Sequence, residues 1–471
     1  MSFRRRHVRA TARAQRGQAL IWLIGVMGAA IAVLYGIYNV TQVSVGKEKA
    51  VNAADTAALA GAKVEARMLN LMAYNNRSMI ANEVALVQFA SMDAWLGYFA
   101  KTAQNIGGVL EWIPYVNEIG VLLKEFGDAA QYARDYVTTY ALDAVIVATE
   151  FEKDALGIAH GLIRTGGWMV ARDAAKATVA ANRANFNGHD DAGVALESTA
   201  TDLLVGKHSY DWWNLTQMYS GSQRDEVAKV IQDSRDSWST NRPGQWYMNF
   251  TVPLLPPQGV KKLGPTVLAD FDHWQTEDTW EHWIWTPSGN KWSTIGDGRT
   301  NVTTDGNDKG RMAPGHAGQK DAQKDEKTHR YWTGMPSLYD LPRYKTLKEK
   351  QAAGVDFAVV VVRDQSANLT TSRLQMGHDP GVSPIGASNM DERLAGDRVA
   401  AIGNAKTFFE RPAATSGDKT GKSLFRSDTS KEYGSLYSPY WEARLLTVDS
   451  GLKLSVYTAL KITPKLSFWT P

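Results

Sequence analysis

The chain of 471 residues contains no cysteine, which excludes disulfides and thiolate metal sites and says little else about its compartment. Proline is scarce in its first half: Pro114 is the only one in the first 242 residues, and the other fifteen fall between Pro243 and Pro471. Because proline breaks helix interiors, the first part reads as helical and the second as strands and loops. A boundary near Arg242-Pro243-Gly244 follows. Acidic residues are missing before the first apolar run, where Arg4, Arg5, Arg6, Arg9, Arg13 and Arg16 stand with His7. These six arginines make the net charge of +3 misleading, since without them 46 basic residues face 49 acidic ones. That balance excludes a nucleic-acid footprint.

What is present is one long apolar run. Ala19 to Val40 carries no charge, and about 22 such residues can cross a hydrocarbon core of roughly 30 Å as a helix. The arginines on its N-terminal side place that end in the cytoplasm. A cleaved signal peptide has only roughly 7–15 apolar residues, and no small-x-small site directly ends this run, so a retained anchor is expected. Gly25, Ala29, Ala32 and Gly36 recur at helical spacing as a candidate helix-packing face. Gly46 to Ala62 then continues in strong helix formers without a proline. Ala50, Ala54, Ala58 and Ala62 form one stripe there, and Ala53, Ala57 and Gly61 the next. A helix this thin suits a crowded bundle or filament core; alternatively the alanines serve helicity alone.

Arg16-Gly17-Gln18-Ala19, the apolar run, and the block Val51-Asn52-Ala53-Ala54-Asp55-Thr56-Ala57-Ala58-Leu59-Ala60-Gly61-Ala62 resemble the N-terminal region of Tad-like (TadE/TadG-type) Flp pilus-assembly proteins. Leu69-Asn70 and Asn76-Arg77-Ser78-Met79-Ile80-Ala81-Asn82-Glu83-Val84-Ala85 resemble a longer branch of that family. So do two tail fragments, Phe408-Phe409-Glu410-Arg411-Pro412 and Tyr437-Ser438-Pro439-Tyr440-Trp441-Glu442-Ala443-Arg444-Leu445. The family motif thus rests on Gly17, Asn52, Ala53, Ala54, Asp55, Ala57 and Ala58. The resemblance implies an inner-membrane, pilin-like component of a tight-adherence secretion and pilus machine. Pilin-type precursors carry Glu shortly after their cleavage glycine; here the fifth residue after Gly17 is Trp22, so processing at Gly17 is not implied.

The expected organisation is a basic cytoplasmic leader over 1–17, a transmembrane, pilin-like helix over 18–62, a helical domain over 63–242 and a strand-rich periplasmic domain over 243–471. Helices first and strands last give an α+β class. The anchor helix should run to about Thr102, with Asn70, Asn75, Asn76, Asn82 and Gln88 read as its solvated face in preference to a contact with a partner helix. Gly107-Gly108 and Pro114 mark a hairpin-like break. Helices follow over Val116–Phe151, Glu152–Ala184 and Arg224–Ser237, with a loop over Asn185–Asp191. Val121, Leu122, Phe126, Ala130, Tyr132 and Val137 form an apolar side expected to be buried against the anchor helix. Strands are expected at Gln245–Leu255, Thr279–Trp285, Val355–Val362, Ala405–Glu410, Tyr440–Val448 and Leu452–Ile462. Val355–Val362 should be buried on both faces, and Gly289–Arg330 should be a long loop.

Few motifs carry chemistry. Ser416-Gly417-Asp418-Lys419-Thr420-Gly421-Lys422-Ser423 lacks the first glycine of a phosphate loop. Asp364-Gln365-Ser366-Ala367-Asn368 lacks the last serine of an Asp-x-Ser-x-Ser metal motif and reads as a polar cap after a buried strand. His273, Glu277 and His282, with Asp270 and Asp272, are the one set with ligand-like chemistry. The tryptophans around them favour a strand, in which helical spacing fails. Asp305-Gly306-Asn307-Asp308 reads as a turn, without the glutamate that closes a calcium loop. Five tryptophans between Trp274 and Trp292 read as core rather than as an exposed contact patch.

The expected function is therefore structural, without catalysis, cofactor or metal. The chain is expected as a single-pass protein of a bacterial inner membrane, its N-terminus cytoplasmic and its bulk periplasmic, or surface-exposed within a filament. Its partners are other pilin-like or pilus-assembly membrane proteins and inner-membrane lipid, and not nucleic acid. The competing readings are a membrane-tethered periplasmic metal-binding enzyme, resting on His273, Glu277 and His282, and a surface adhesin, resting on the tryptophan-rich segment.

Overall fold

The computed structural model describes residues 18–183, 194–220, 223–240, 242, 246–269, 271–304, 317–344, 346, 349, 352–364, 393–394, 398–411 and 433–459. One helix, α1 (Gln18–Leu110), organises everything else. Its 93 residues give a shaft of about 140 Å at ~1.5 Å per residue. The expected end near Thr102 falls about two turns short of the observed one.

After a break over 111–116 the chain returns along α1 as α2 (Asn117–Ala133), a π-helical turn (Arg134–Thr138) and α3 (Thr139–Arg183). The antiparallel seating is fixed along its length. Ser78 donates to Glu152 (2.7 Å), His160 meets the Met72 carbonyl (3.2 Å), and Asn182 donates to Thr56 (2.8 Å). Helical structure continues through Phe151-Glu152, where two separate helices were expected. The expected burial of the α2 apolar side is overturned: Val121, Leu122, Phe126, Tyr132 and Val137 are 44–67% exposed. The physical reason is close backbone approach on the other side of the helix. A Cβ at Gly120 would lie 2.4 Å from the Glu111 nitrogen, and one at Gly127 2.8 Å from the Ala100 carbonyl. The turn of π-helix sets Arg134 beside Asp93 (3.4 Å), and Asp93 also accepts from Thr138 (2.8 Å) and Thr300 (2.6 Å). This buried network ties three elements together.

Beyond α3 come β1 (Val194–Leu196), α4 (Ser198–Leu215), β2 (Gln217–Met218), α5 (Gln223–Asp233) and α6 (Ser237–Thr240). Then follow β3 (Trp246–Phe250), β4 (Gln258–Leu263), β5 (Thr266–Ala269), β6 (His273–Thr286), β7 (Gly289–Thr303), α7 (Ala317–Lys324), β8 (Lys327–His329) and β9 (Tyr339–Asp340). The chain closes with β10 (Asp356–Asp364), β11 (Arg393–Leu394), β12 (Arg398–Phe409), β13 (Trp441–Leu445) and α8 (Ser450–Ala459).

Two larger sheets result. In the first, the order is β1-β10-β12-β11, with β13 also on β12, all antiparallel. Its central strand is buried on both faces along the apolar run Phe357–Val362, as residues of both parities there require. Phe357, Val359 and Val361 face α1 and α3, while Val360 and Val362 pack with Ala200, Leu204 and Val456 of α4 and α8. The second sheet runs β3-β4-β6-β7-β8, with β5 also on β6, and β8 is parallel to β7. β7 lies on the distal part of α1.

The architecture is α+β, with a helix as spine. Short strands of the helical half join the sheets of the other half: β1 pairs with β10, and β2 with β9. Arg242, at the expected boundary, is fully buried and bonded to Asp278. Two element assignments are corrected. Leu452–Ile462 was expected as a strand, but Ser450–Ala459 is helix α8, capped by Asp449, which accepts from the Leu452 nitrogen (2.7 Å). Gly289–Arg330 was expected as a loop, but it supplies β7, α7 and β8; 305–316 lie outside the described residues, as does the expected loop over Asn185–Asp191.

Candidate membrane anchor and pilin-like segment

Among the described residues, none surrounds the first stretch of α1. Ala19–Tyr38, 20 residues long and apolar enough to cross a membrane, is not buried within the protein. A side chain added at Gly25 or Gly36 would meet nothing within 4 Å, and Ala29 and Ala32 are exposed. Such a helix satisfies its own backbone hydrogen bonds, as a membrane-crossing segment must. The candidate packing face of Gly25, Ala29, Ala32 and Gly36 therefore lies bare. Just beyond it, the hydroxyls of Thr41 and Ser44 donate back to the carbonyls of Ile37 (2.8 Å) and Val40 (3.0 Å). Polar side chains thus enter without leaving the helix.

Burial begins at Gly46 and is complete along one face of the alanine block. Ala50, Ala54, Ala57, Ala58 and Ala62 are 0% exposed and Ala53 3%. They meet Phe357, Val359 and Val361 of β10, Ala401 and Ala405 of β12, and Ala171, Ala175 and Val179 of α3. The approach is as close as backbone permits. A Cβ on Gly403 would lie 2.1 Å from the Ala54 carbonyl oxygen, and one on Gly61 2.2 Å from the Phe357 ring. The alanines therefore serve packing, and the crowded neighbours are the protein's own sheet and helix. Of the other motif residues, Asn52 is exposed, and its carbonyl accepts from the Thr56 hydroxyl (2.7 Å). Asp55 is half-buried, and desolvation raises its carboxyl pKa. Gly17 lies outside the described residues.

A second set of contacts locks the body to the shaft. Asn70 donates to the Trp441 carbonyl (3.0 Å) and accepts from the Trp441 nitrogen (2.9 Å). Asn76 donates to the carbonyls of Tyr339 and Leu436 (2.7 Å each), and Arg77 donates to that of Tyr437 (2.5 Å). The N-terminal fragment around Asn70–Arg77 and the tail fragment Tyr437–Leu445 are thus partners in space. This corrects the solvated-face reading. Asn75 and Asn76 are 6% and 0% exposed, Asn70 and Asn82 are half-buried, and only Gln88 of the five is exposed.

Sequence reasoning missed the buried titratable groups on the same shaft. Glu65 is fully buried and bonded to His208, whose Nδ1 meets the Asp356 carbonyl (2.8 Å). Burial pushes Glu65 upward in pKa; it also opposes a charged His208, yet Glu65 beside that ring holds it above its ordinary value. Glu83 accepts from the indoles of Trp274 and Trp332 (3.2 Å each), and burial pushes its pKa up to about 7. The sequence signal for both was an acidic residue interrupting an apolar helical stripe.

The residues suggested for metal chemistry are not brought together. In β6, His273 and Glu277 are four residues apart, about 13 Å along a strand. Glu277 lies against Arg299 (3.6 Å), while His282, of opposite strand parity, meets Gln258 (3.0 Å). Among the described residues no group of three or more His, Asp or Glu is placed to hold a metal ion. Trp274 and Trp283 are buried, Trp280 and Trp292 half-buried, and Trp285 is 49% exposed. Asp270, Asp305–Asp308, Gln365–Asn368, Pro412 and Ser416–Ser423 lie outside the described residues.

No curated protein and no solved structure matches the chain. The family comparison does find a match, confined to the bare helix and the alanine block described above. About a tenth of the chain, residues 17–64, matches the family model described as "Putative Flp pilus-assembly TadE/G-like", and that match supports a role in pilus assembly.

Proposed function

We propose that this chain is a single-pass, membrane-anchored, pilin-like component of a Tad/Flp-type pilus or secretion apparatus, with a structural or assembly role and no catalysis. One observation carries the reading. A single helix passes without a break from the bare apolar segment Ala19–Tyr38 into an alanine block that is fully packed within the same chain. The helix thus forms a rigid mount, holding a folded body at a set distance from a bilayer. The arginines before Gly17 orient it with the N-terminus in the cytoplasm and the bulk in the periplasm. Because the alanine face is already occupied by β10 and β12, helix–helix partners in the membrane are left with Gly25, Ala29, Ala32 and Gly36. Those partners are other pilin-like or pilus-assembly proteins and the lipid of a bacterial inner membrane.

The test compares the full chain with one in which Ala19–Tyr38 is replaced by a cleavable signal sequence, both in a strain lacking the native protein. The full chain should resist alkaline extraction from membranes and restore pili. The unanchored body should fold in the periplasm and leave pili unassembled. Pili restored by the unanchored body would overturn the reading.

A further inference from the structure

The outer face of α3 repeats every eleven residues. Val147 and Phe151 recur as Ile158 and Leu162, with Tyr140 before them and Met169 after, and each of these six is 48–78% exposed. Between the pairs stand small residues at the same period: Ala144, Ala155 and Gly166. No stripe position carries a charge. Eleven residues make just over three turns of α-helix, so the stripe drifts by only about 20° per repeat and stays on one face. It is about 45 Å long at ~1.5 Å per residue. The six large side chains expose on the order of 700 Å², above the roughly 300–600 Å² patch of an ordinary monomer and close to the ~800 Å² per partner of a stable interface.

We infer that this stripe is the contact between two copies of this chain, packed side by side with their α3 helices parallel and in register. Lipid does not fit the face. α3 lies antiparallel along α1, so the stripe stands along the shaft instead of in a membrane plane. Near its closest end, at Met169, the inner face of the helix packs on Met68 at Gly167, thirty residues or about 45 Å of helix beyond Tyr38. A matching partner must offer a straight, uncharged apolar ridge of equal length. A second copy supplies one, and copies anchored in the same bilayer present it in the same direction. Identical stripes then meet across a two-fold axis parallel to the shaft, with large layers alternating with small ones. The parallel orientation and the exclusion of lipid rest on the anchor proposed above; the length and uncharged apolar character of the stripe do not.

The absence of native cysteine makes the test direct. Tyr140→Cys, Phe151→Cys and Leu162→Cys are introduced singly into the full chain in membranes and oxidised. Each should give disulfide-linked homodimers, and Lys229→Cys, exposed on α5, should not. Adding Ile158→Glu to the Leu162→Cys chain should cut the dimer yield at least tenfold while the protein stays in the membrane fraction. Failure of all three stripe cysteines to form homodimers overturns the inference, whether they remain unlinked or join a different protein. Self-linkage of Phe151→Cys alone, with Tyr140→Cys linking only when mixed with Leu162→Cys, shows antiparallel packing and overturns it too. Homodimers at all three positions in a chain found outside the membrane uphold the self-contact and count against the anchor alone.

Discussion

The Asn70 side chain exchanges two hydrogen bonds with the backbone of Trp441, 371 residues away, at 3.0 and 2.9 Å. One amide thereby serves the edge of β13 at Trp441 and fastens the tail of the chain to the shaft. Asn70→Ala leaves the N–H and C=O of a residue only 2% exposed without partners. A loss of about 2–3 kcal/mol is expected, read as a lower denaturant midpoint. Asn70→Asp should restore one of the two bonds and recover only part of the loss.

The seat of α1 on the first sheet should tolerate no added atom. Gly403→Ala would put a methyl group against the Ala54 carbonyl and should destabilise by about 1–3 kcal/mol or more. Gly25→Ala, in open space, should leave the body's thermal transition where it is. Equal transitions in the two variants would mean that the helix is not seated as described.

Buried Glu83 makes stability depend on pH. Its folded pKa of about 7 lies above the ordinary 4.5, so the folded state holds the proton more tightly than the unfolded chain. Stability should be highest below about pH 4.5 as far as this group is concerned and fall by about 3 kcal/mol as pH rises to about 7. Glu83→Gln should flatten that slope and raise stability at pH 8. An unchanged slope in the variant would assign the dependence to other groups.

Much of this was legible in the sequence. The apolar run and the proline distribution marked the bare apolar segment, the long helix and the change to strands. Val355–Val362 read as buried on both faces because both its parities are apolar. What stayed hidden depended on tertiary contact. Gly289–Arg330 looked like loop because it is rich in Gly, Asp, Asn and Lys. In β7, however, glycine allows the shaft to approach, a Cβ on Gly298 lying 2.1 Å from the Ala94 carbonyl. The polar residues there pair across strands, as Gln275 does with Asn301 (2.9 Å). Helix α4 escaped notice, although Glu197 caps it by accepting from Ala200. The asparagines of α1 looked solvated because their partners lie more than 260 residues downstream.

Topology is tested by a reporter fused after Pro471. It should be active in the periplasm and silent in the cytoplasm, and reversing the signs at Arg4, Arg5, Arg6, Arg9, Arg13 and Arg16 should weaken that orientation. Activity only in the cytoplasm would refute the placement.

The central claim, that the bare helix is an assembly element and more than a tether, is tested by cross-linking within the membrane alongside pilus counts. Gly25→Leu and Ala29→Leu keep the segment apolar, so insertion should persist. Both should separate packed helices at a cost of about 1–2 kcal/mol, lowering association several-fold and reducing pili in step. Val33→Leu, off that face, should change neither. Equal cross-linking and equal pilus numbers in all three variants would contradict the claim.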